Sequence, residues 1–86
     1  MEIKLFEKAE RDFEFWRKSG SKGIQVKIQQ LFKDTQPHPF EGIGKSEALK
    51  HELYGQWSRR INQEHRIIYE VVDNILNVYS LRTHYQ

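Results

Sequence analysis

The chain contains no cysteine, which excludes both a disulfide framework and a thiolate metal site. Proline is scarce, and its two occurrences, Pro37 and Pro39, fall in one short stretch. No run approaches the roughly 20 apolar residues that cross a bilayer. The opening Met1-Glu2-Ile3-Lys4-Leu5-Phe6-Glu7 lacks the apolar segment of a secretory signal. These absences lead to the expectation of a soluble, cytoplasmic protein with no membrane partner. An excess of one charge is missing too: 14 basic and 12 acidic residues leave a formal net charge of +2. That total is too small to mark a nucleic-acid binder by itself. Repeats, low-complexity tracts and linker-like composition are also lacking.

What remains is the composition of one folded unit, and a single domain over residues 1–86 is expected. The chain is 37% hydrophobic and 30% charged, and 5 Phe, 4 Tyr and 2 Trp supply bulky core side chains. A chain of this size buries only about 60–65% of its unfolded surface, so a modest stability is expected. The distribution of charge says more than its sum. Residues 45–66 hold Lys45, Lys50, Arg59, Arg60 and Arg66 against three acidic residues. Arginine's planar fork suits phosphate oxygens, although a solvated strand face carries much the same residues.

Periodicity divides the chain into two halves. Glu2 to Phe6 reads as a short strand. From Glu7 to Lys18, Ala9, Phe13 and Trp16 recur at helical spacing, with acidic residues in the first half where the helix dipole favours them. Ser19-Gly20-Ser21 interrupts the pattern, and a second helix follows from Lys22 to Asp34, with Ile24, Ile28, Leu31 and Phe32 on one face. Pro37, Pro39, Gly42 and Gly44 exclude regular structure from Thr35 to Lys45. The period then becomes two. Leu49, His51 and Leu53 read as one strand before a Gly55-Gln56 turn, and Trp57, Arg59 and Ile61 as a second. Arg66 to Val72 and Ile75 to Leu81 read as a hairpin across Asp73-Asn74. The expected architecture is α+β, a two-helix hairpin packed on an antiparallel β-sheet.

No Gly-rich phosphate loop and no nucleophile elbow occurs. His38, His51, His65 and His84 never take the i, i+4 spacing of a helical zinc pair. No metal and no cofactor is therefore expected, and acid–base chemistry by Glu, His and Arg remains open.

Several motifs occur in a fixed order: Pro39-Phe40-Glu41-Gly42-Ile43-Gly44-Lys45, then Glu47-Ala48-Leu49-Lys50-His51, then Trp57-Ser58-Arg59-Arg60-Ile61. Glu64-His65-Arg66-Ile67-Ile68-Tyr69 follows, and Arg82-Thr83-His84-Tyr85 closes the series. Together they resemble the YoeB branch of the RelE toxin superfamily over nearly the whole chain. The resemblance implies a RelE-like microbial ribonuclease fold and a toxin of a type II toxin–antitoxin system. It implies a metal-independent endoribonuclease that cleaves messenger RNA at the ribosome and so inhibits translation.

Position by position, it implies Glu47 as the general base for the ribose 2′-hydroxyl. Arg66 is implied as the cation facing the phosphate, and His84 as the general acid for the departing 5′-oxygen. The partners it implies are messenger RNA, the ribosome, an antitoxin of the YefM/Phd type and a second copy in a homodimer. Beside these, Lys50 and Arg60 are read as substrate-binding residues from their strand positions, and Tyr85 as one that stacks on an unpaired base. Arg59 and Arg60 must point to opposite faces of a strand. Arg60 shares parity with Ser58 and Asn62, away from apolar Trp57 and Ile61, and is the better phosphate candidate. Trp57 itself reads as core. Ser46 and Ala48 stand where relatives often carry proline, and Gln86 extends the chain beyond Tyr85.

Plainer readings exist for each residue. Glu47 reads as a solvated carboxylate, Arg66 as a cross-strand salt-bridge partner, and His84-Tyr85 as a loose terminus. At the level of function, the alternative is a non-catalytic RNA- or protein-binding module of the same fold that blocks translation.

Overall fold

A computed structural model describes residues 1–82. Within them the chain forms β1 (Glu2–Leu5), α1 (Glu7–Lys18), α2 (Lys22–Thr35), β2 (Glu47–Ala48), a 3-10 turn (His51–Leu53), β3 (Trp57–Arg60), β4 (Arg66–Val72) and β5 (Ile75–Ser80). The strands make one sheet in the order β1-β5-β4-β3-β2. From β2 to β5 all pairings are antiparallel, as the alternating pattern predicts. The first strand instead lies parallel to β5, with Glu2 opposite Ile75 and Leu5 opposite Val78. The chain between these two parallel strands runs through both helices and the other three strands, and the sheet is mixed at this edge.

Both helices cover the same face of the sheet. Ala9 and Trp16 of α1 and Ile28, Leu31 and Phe32 of α2 pack against Ile61, Ile67, Tyr69, Leu76, Val78 and Leu81. Each large apolar side chain removed from water in this way contributes about 1.5–3 kcal/mol. Trp57 is half-buried, packing on this core and tilted against the Phe40 ring at 4.9 Å. At the β4–β5 turn, Asp73 and Asn74 have φ of 51° and 61°. This left-handed pair is the geometry that joins two twisted strands in two residues.

The segment from Leu49 to Tyr54 is not the strand that its alternation suggests. Lys50 is extended, but His51 turns left-handed at φ 58° and opens a three-residue 3-10 turn. Leu49 and Leu53 do not share a buried face either, since Leu49 is 4% exposed and Leu53 37%. Strand pairing ends at Ala48, and the Leu49 amide closes the loop on the Gln56 carbonyl at 2.9 Å.

Asp12 has a role beyond the helix dipole. Buried on the inner side of α1, its Oδ2 accepts from Lys8 Nζ at 2.7 Å, the Leu81 amide at 3.0 Å and Ser80 Oγ at 3.3 Å. Trp16 Nε1 donates to the Leu81 carbonyl at 2.9 Å, and the Arg82 guanidinium lies 3.6 Å from the Phe15 ring centroid. Helix α1 thus grips the end of β5. Asp12→Ala leaves a buried amide without an acceptor and is expected to cost about 1–3 kcal/mol in urea unfolding. Asp12→Asn, which keeps an oxygen there, is expected to cost less. Equal midpoints for both variants and the parent chain would contradict this account.

Candidate active site

The candidate site is built on the face of the sheet turned away from the helices. Residues directly opposite in neighbouring strands share a face. Ile67 and Tyr69 point into the core, so Arg66 and Ile68 point the other way. Arg66 lies opposite Arg60, and Glu47 opposite Ser58. Glu47, Ser58, Arg60 and Arg66, from three adjacent strands, therefore occupy one surface.

Contacts tie three of the four together. Arg66 Nη1 is 3.7 Å from Glu47 Oε2 and donates to Ser58 Oγ at 3.3 Å. Ser58 is fully buried beneath them, whereas the Glu47 side chain is 60% exposed. An ion pair this open to water stabilises a fold by at most about 1 kcal/mol, so its value lies in placing a carboxylate beside a guanidinium. The plainer reading of Arg66, a cross-strand salt bridge, describes the same contact. Arg60 is harder to explain structurally, because like charges directly opposite across a strand pair repel. An anion seated between them would remove that repulsion.

Lys50 is exposed and extended at the head of the 3-10 turn. Among the described residues no hydrogen bond or ion pair joins it to Glu47, Arg60 or Arg66. His84 and Tyr85 lie outside the described residues. The four that the structure describes thus divide into three gathered on one face and Lys50 at its margin.

Arg59 is the residue whose importance the sequence reading missed. It is fully buried, and Nε donates to the Tyr69 hydroxyl at 3.2 Å. Nη1 donates to Asp34 Oδ2 at 2.6 Å and to the Ile43 carbonyl at 3.3 Å. Nη2 donates to the carbonyls of His38 and Glu41. Tyr69 in turn donates to the Pro39 carbonyl at 2.6 Å. Burial pushes the Tyr69 hydroxyl above its ordinary pKa, which keeps its proton in place for that bond. The Arg59 guanidinium holds the Asp34 carboxyl below the usual carboxylate range, with help from the Ile43 amide at 3.1 Å.

Sequence signals for this cluster did exist. Asp34 closes the second helix just before a loop with four Pro and Gly residues, and one of two adjacent arginines had to point inward. A depression of ≈ 360 Å³ lined by Gln30, Lys33, Asp34, Pro37, His38 and Ile43 lies against the same loop and includes none of Glu47, Arg60 and Arg66.

The ordered motifs and the fold find counterparts in known proteins. A family model of the YoeB-like toxins of bacterial type II toxin–antitoxin systems matches residues 6–85. The chain belongs to the YoeB-like toxin family. Toxin YoeB of Escherichia coli K12 is 50% identical over 74 residues, covering 86% of this chain and 87% of the relative. Among solved structures, a YoeB/ParE toxin from Agrobacterium tumefaciens superposes with a TM-score of 0.94 at 37% identity, over 99% of this chain and 100% of the other. YoeB of Staphylococcus aureus, solved in a heterotetrameric complex with YefM, gives 0.89 at 38% identity over 99% and 98% of the two chains. The same protein has also been solved as a dimer. The α+β fold expected of this YoeB-family chain is the fold observed.

The Asp34 shift has a definite sign. A carboxylate with a depressed folded-state pKa adds stability that is fully present above its unfolded pKa and is lost as pH falls through the folded value. The difference in thermal midpoint between the parent chain and Asp34→Asn is therefore expected to be largest near neutrality. It should shrink as pH is lowered below about 4, the ordinary carboxylate value. A difference that stays constant down to pH values well below this would contradict the Arg59–Asp34 linkage.

Proposed function

We propose that this YoeB-family toxin is a metal-independent endoribonuclease that cuts messenger RNA in the ribosome, with Glu47, Arg66 and His84 as its catalytic groups. The observation that carries the reading is the Glu47 carboxylate held beside Arg66 on an exposed sheet face, with a second arginine, Arg60, across the strand pair.

Glu47 takes the proton from the ribose 2′-hydroxyl, and the freed oxygen attacks the adjacent phosphorus. A 2′,3′-cyclic phosphate forms as the bond to the 5′-oxygen breaks. Charge grows on the non-bridging oxygens during this step, and Arg66, with Arg60 beside it, supplies the opposing charge. A preorganised guanidinium does this without the reorganisation that water would require. His84 enters from the family resemblance as the acid that protonates the leaving 5′-oxygen, and Tyr85 as a surface for stacking an unpaired base. Lys50 contributes positive charge at the margin of the RNA path. The nucleophile belongs to the substrate, so no metal-bound hydroxide is required.

The partners follow from the relatives. A YefM/Phd-type antitoxin is proposed to bind and neutralise this chain, as YefM is found with YoeB in the Staphylococcus aureus complex. A homodimer is proposed by analogy with the structure of that relative alone. Among the described residues no helix is long and apolar enough to cross a membrane, and a substrate on the ribosome places the protein's work in the cytoplasm.

Purified protein added to programmed ribosomes is expected to leave a 2′,3′-cyclic phosphate on the upstream fragment, and at high protein concentration its cleavage of free RNA is expected to persist in EDTA. Glu47→Gln is expected to slow the cut by about 10²–10⁴-fold, the usual worth of a general base. His84→Ala is expected to abolish growth inhibition without unfolding the chain. Loss of free-RNA cleavage on chelation, or arrest of translation with the message intact, would contradict the reading.

A further inference from the structure

We infer that Arg59 is a positioning residue for the proposed cleavage reaction: it clamps the loop that delivers Glu47, although it never reaches the substrate side of the sheet. The inference rests on the nuclease reading of Glu47 and extends it to a residue on the opposite face.

The starting point is how little holds Glu47 locally. Its strand is two residues long and pairs only with Trp57 and Ser58, and so short a ladder cannot order itself in water. Order must arrive from the flanking chain. On the C-terminal side, the Leu49–Gln56 backbone bond closes the loop. On the N-terminal side stands the stretch from His38 to Gly44, rich in glycine and without regular structure.

Arg59 organises that stretch. A guanidinium has five N–H groups, and here each has an acceptor. Three go to carbonyls of the loop, those of His38, Glu41 and Ile43, one to Asp34 at the end of α2, and one to Tyr69 on β4. The next residue of β3 continues the attachment, since the Arg60 amide donates to the Gly44 carbonyl at 2.6 Å. From that bond to Glu47 is a span of three residues. One strand therefore does two jobs: Ser58 and Arg60 face the site, and Arg59 between them holds the approach to it from behind.

Two glycines show how tightly the loop is drawn in. At Gly44, with φ 85°, an added Cβ would lie 3.0 Å from the Arg60 carbonyl oxygen and 3.0 Å from the Leu31 side chain. At Gly42, with φ 113°, it would lie 2.1 Å from Asp34 Oδ2 and 3.1 Å from Arg59 Nη1. The loop closes onto the clamp with no room for a side chain.

Lysine cannot replace this arginine, because an ammonium offers three donors from a single point and not a planar fork. Direct RNA contact is excluded by burial, as Arg59 is 0% exposed. Its effect on catalysis must pass through the loop.

The test uses the full chain on programmed ribosomes, with Arg59→Lys and Gly42→Ala as variants and Gly20→Ala as control. Gly20 also has a positive φ, 72°, but an added Cβ there meets nothing within 4 Å, so it reproduces the backbone strain away from the clamp. Three quantities are read: single-turnover cleavage rate, affinity for the ribosome complex, and amide hydrogen exchange without substrate. Arg59→Lys and Gly42→Ala are expected to slow cleavage at least about tenfold while affinity changes less than about threefold. Amides of residues 43–48 should exchange faster, those of residues 67–71 should not, and Gly20→Ala should match the parent.

Should Arg59→Lys fail to fold, Gly42→Ala decides alone. Faster exchange at 43–48 with an unchanged cleavage rate would overturn the inference, because loop order would then not reach Glu47. Affinity falling in step with rate would overturn it as well, by assigning the effect to binding. A parent chain that does not cut at all would refute the nuclease reading itself, and the positioning role with it.

Discussion

A guanidinium removed from water must place its N–H groups on acceptors or forfeit several kcal/mol. Arg59 meets that requirement by gathering three carbonyls of a loop without regular structure. Its partners come from α2, the glycine-rich segment and β4, so one side chain joins the helical layer to the sheet at the edge where β2 is added. The surface chemistry stands on this internal connection. Without it the two-residue β2 would rest on its pairs with Trp57 and Ser58, on the Arg60–Gly44 backbone bond before it and on the closure after it. The carboxylate and the arginines would then have no fixed relation to one another.

The outer face shows the complementary pattern. Most of a sheet's charged residues stand opposite a partner of the other sign or point into water. Here two arginines face each other across β3 and β4 with one carboxylate beside them. The arrangement is mildly unfavourable as structure and well suited to a phosphodiester, which brings negative charge between the arginines and a hydroxyl proton to the carboxylate. Ser58, buried under the group and bonded to Arg66, limits the rotation of that guanidinium. Such charge placed before the substrate arrives is what makes electrostatic stabilisation effective.

Much of this was legible in the residues. The apolar spacing of Ala9, Phe13 and Trp16, the Ile24 to Phe32 stripe and the Asp73-Asn74 turn define both helices and the final hairpin, because each depends on local periodicity or a two-residue preference. Strand parity alone separates Arg59 from Arg60. The misread segment, Leu49 to Tyr54, alternates like a strand but lacks β-branched residues, and a left-handed His51 ends the pattern. The parallel partner of β1 was not legible, since a four-residue strand carries no mark of its distant neighbour. Nor were the partners of the buried Asp12 and the half-buried Asp34: carboxylates withdrawn from water are rare enough that sequence patterns assign them to solvent. What they hold lies 25 to 69 residues away or around a loop whose path is set only on folding.

The central claim is that the attacking oxygen belongs to the RNA and that Glu47 takes its proton. Its most direct measurement uses a message carrying a single 2′-deoxy nucleotide immediately upstream of the scissile phosphate, presented on the ribosome. The account predicts no cleavage at that phosphate, with the same message in all-ribose form cut normally. Cleavage of the 2′-deoxy message at the same bond would contradict it, because the nucleophile would then have to be water or a protein group.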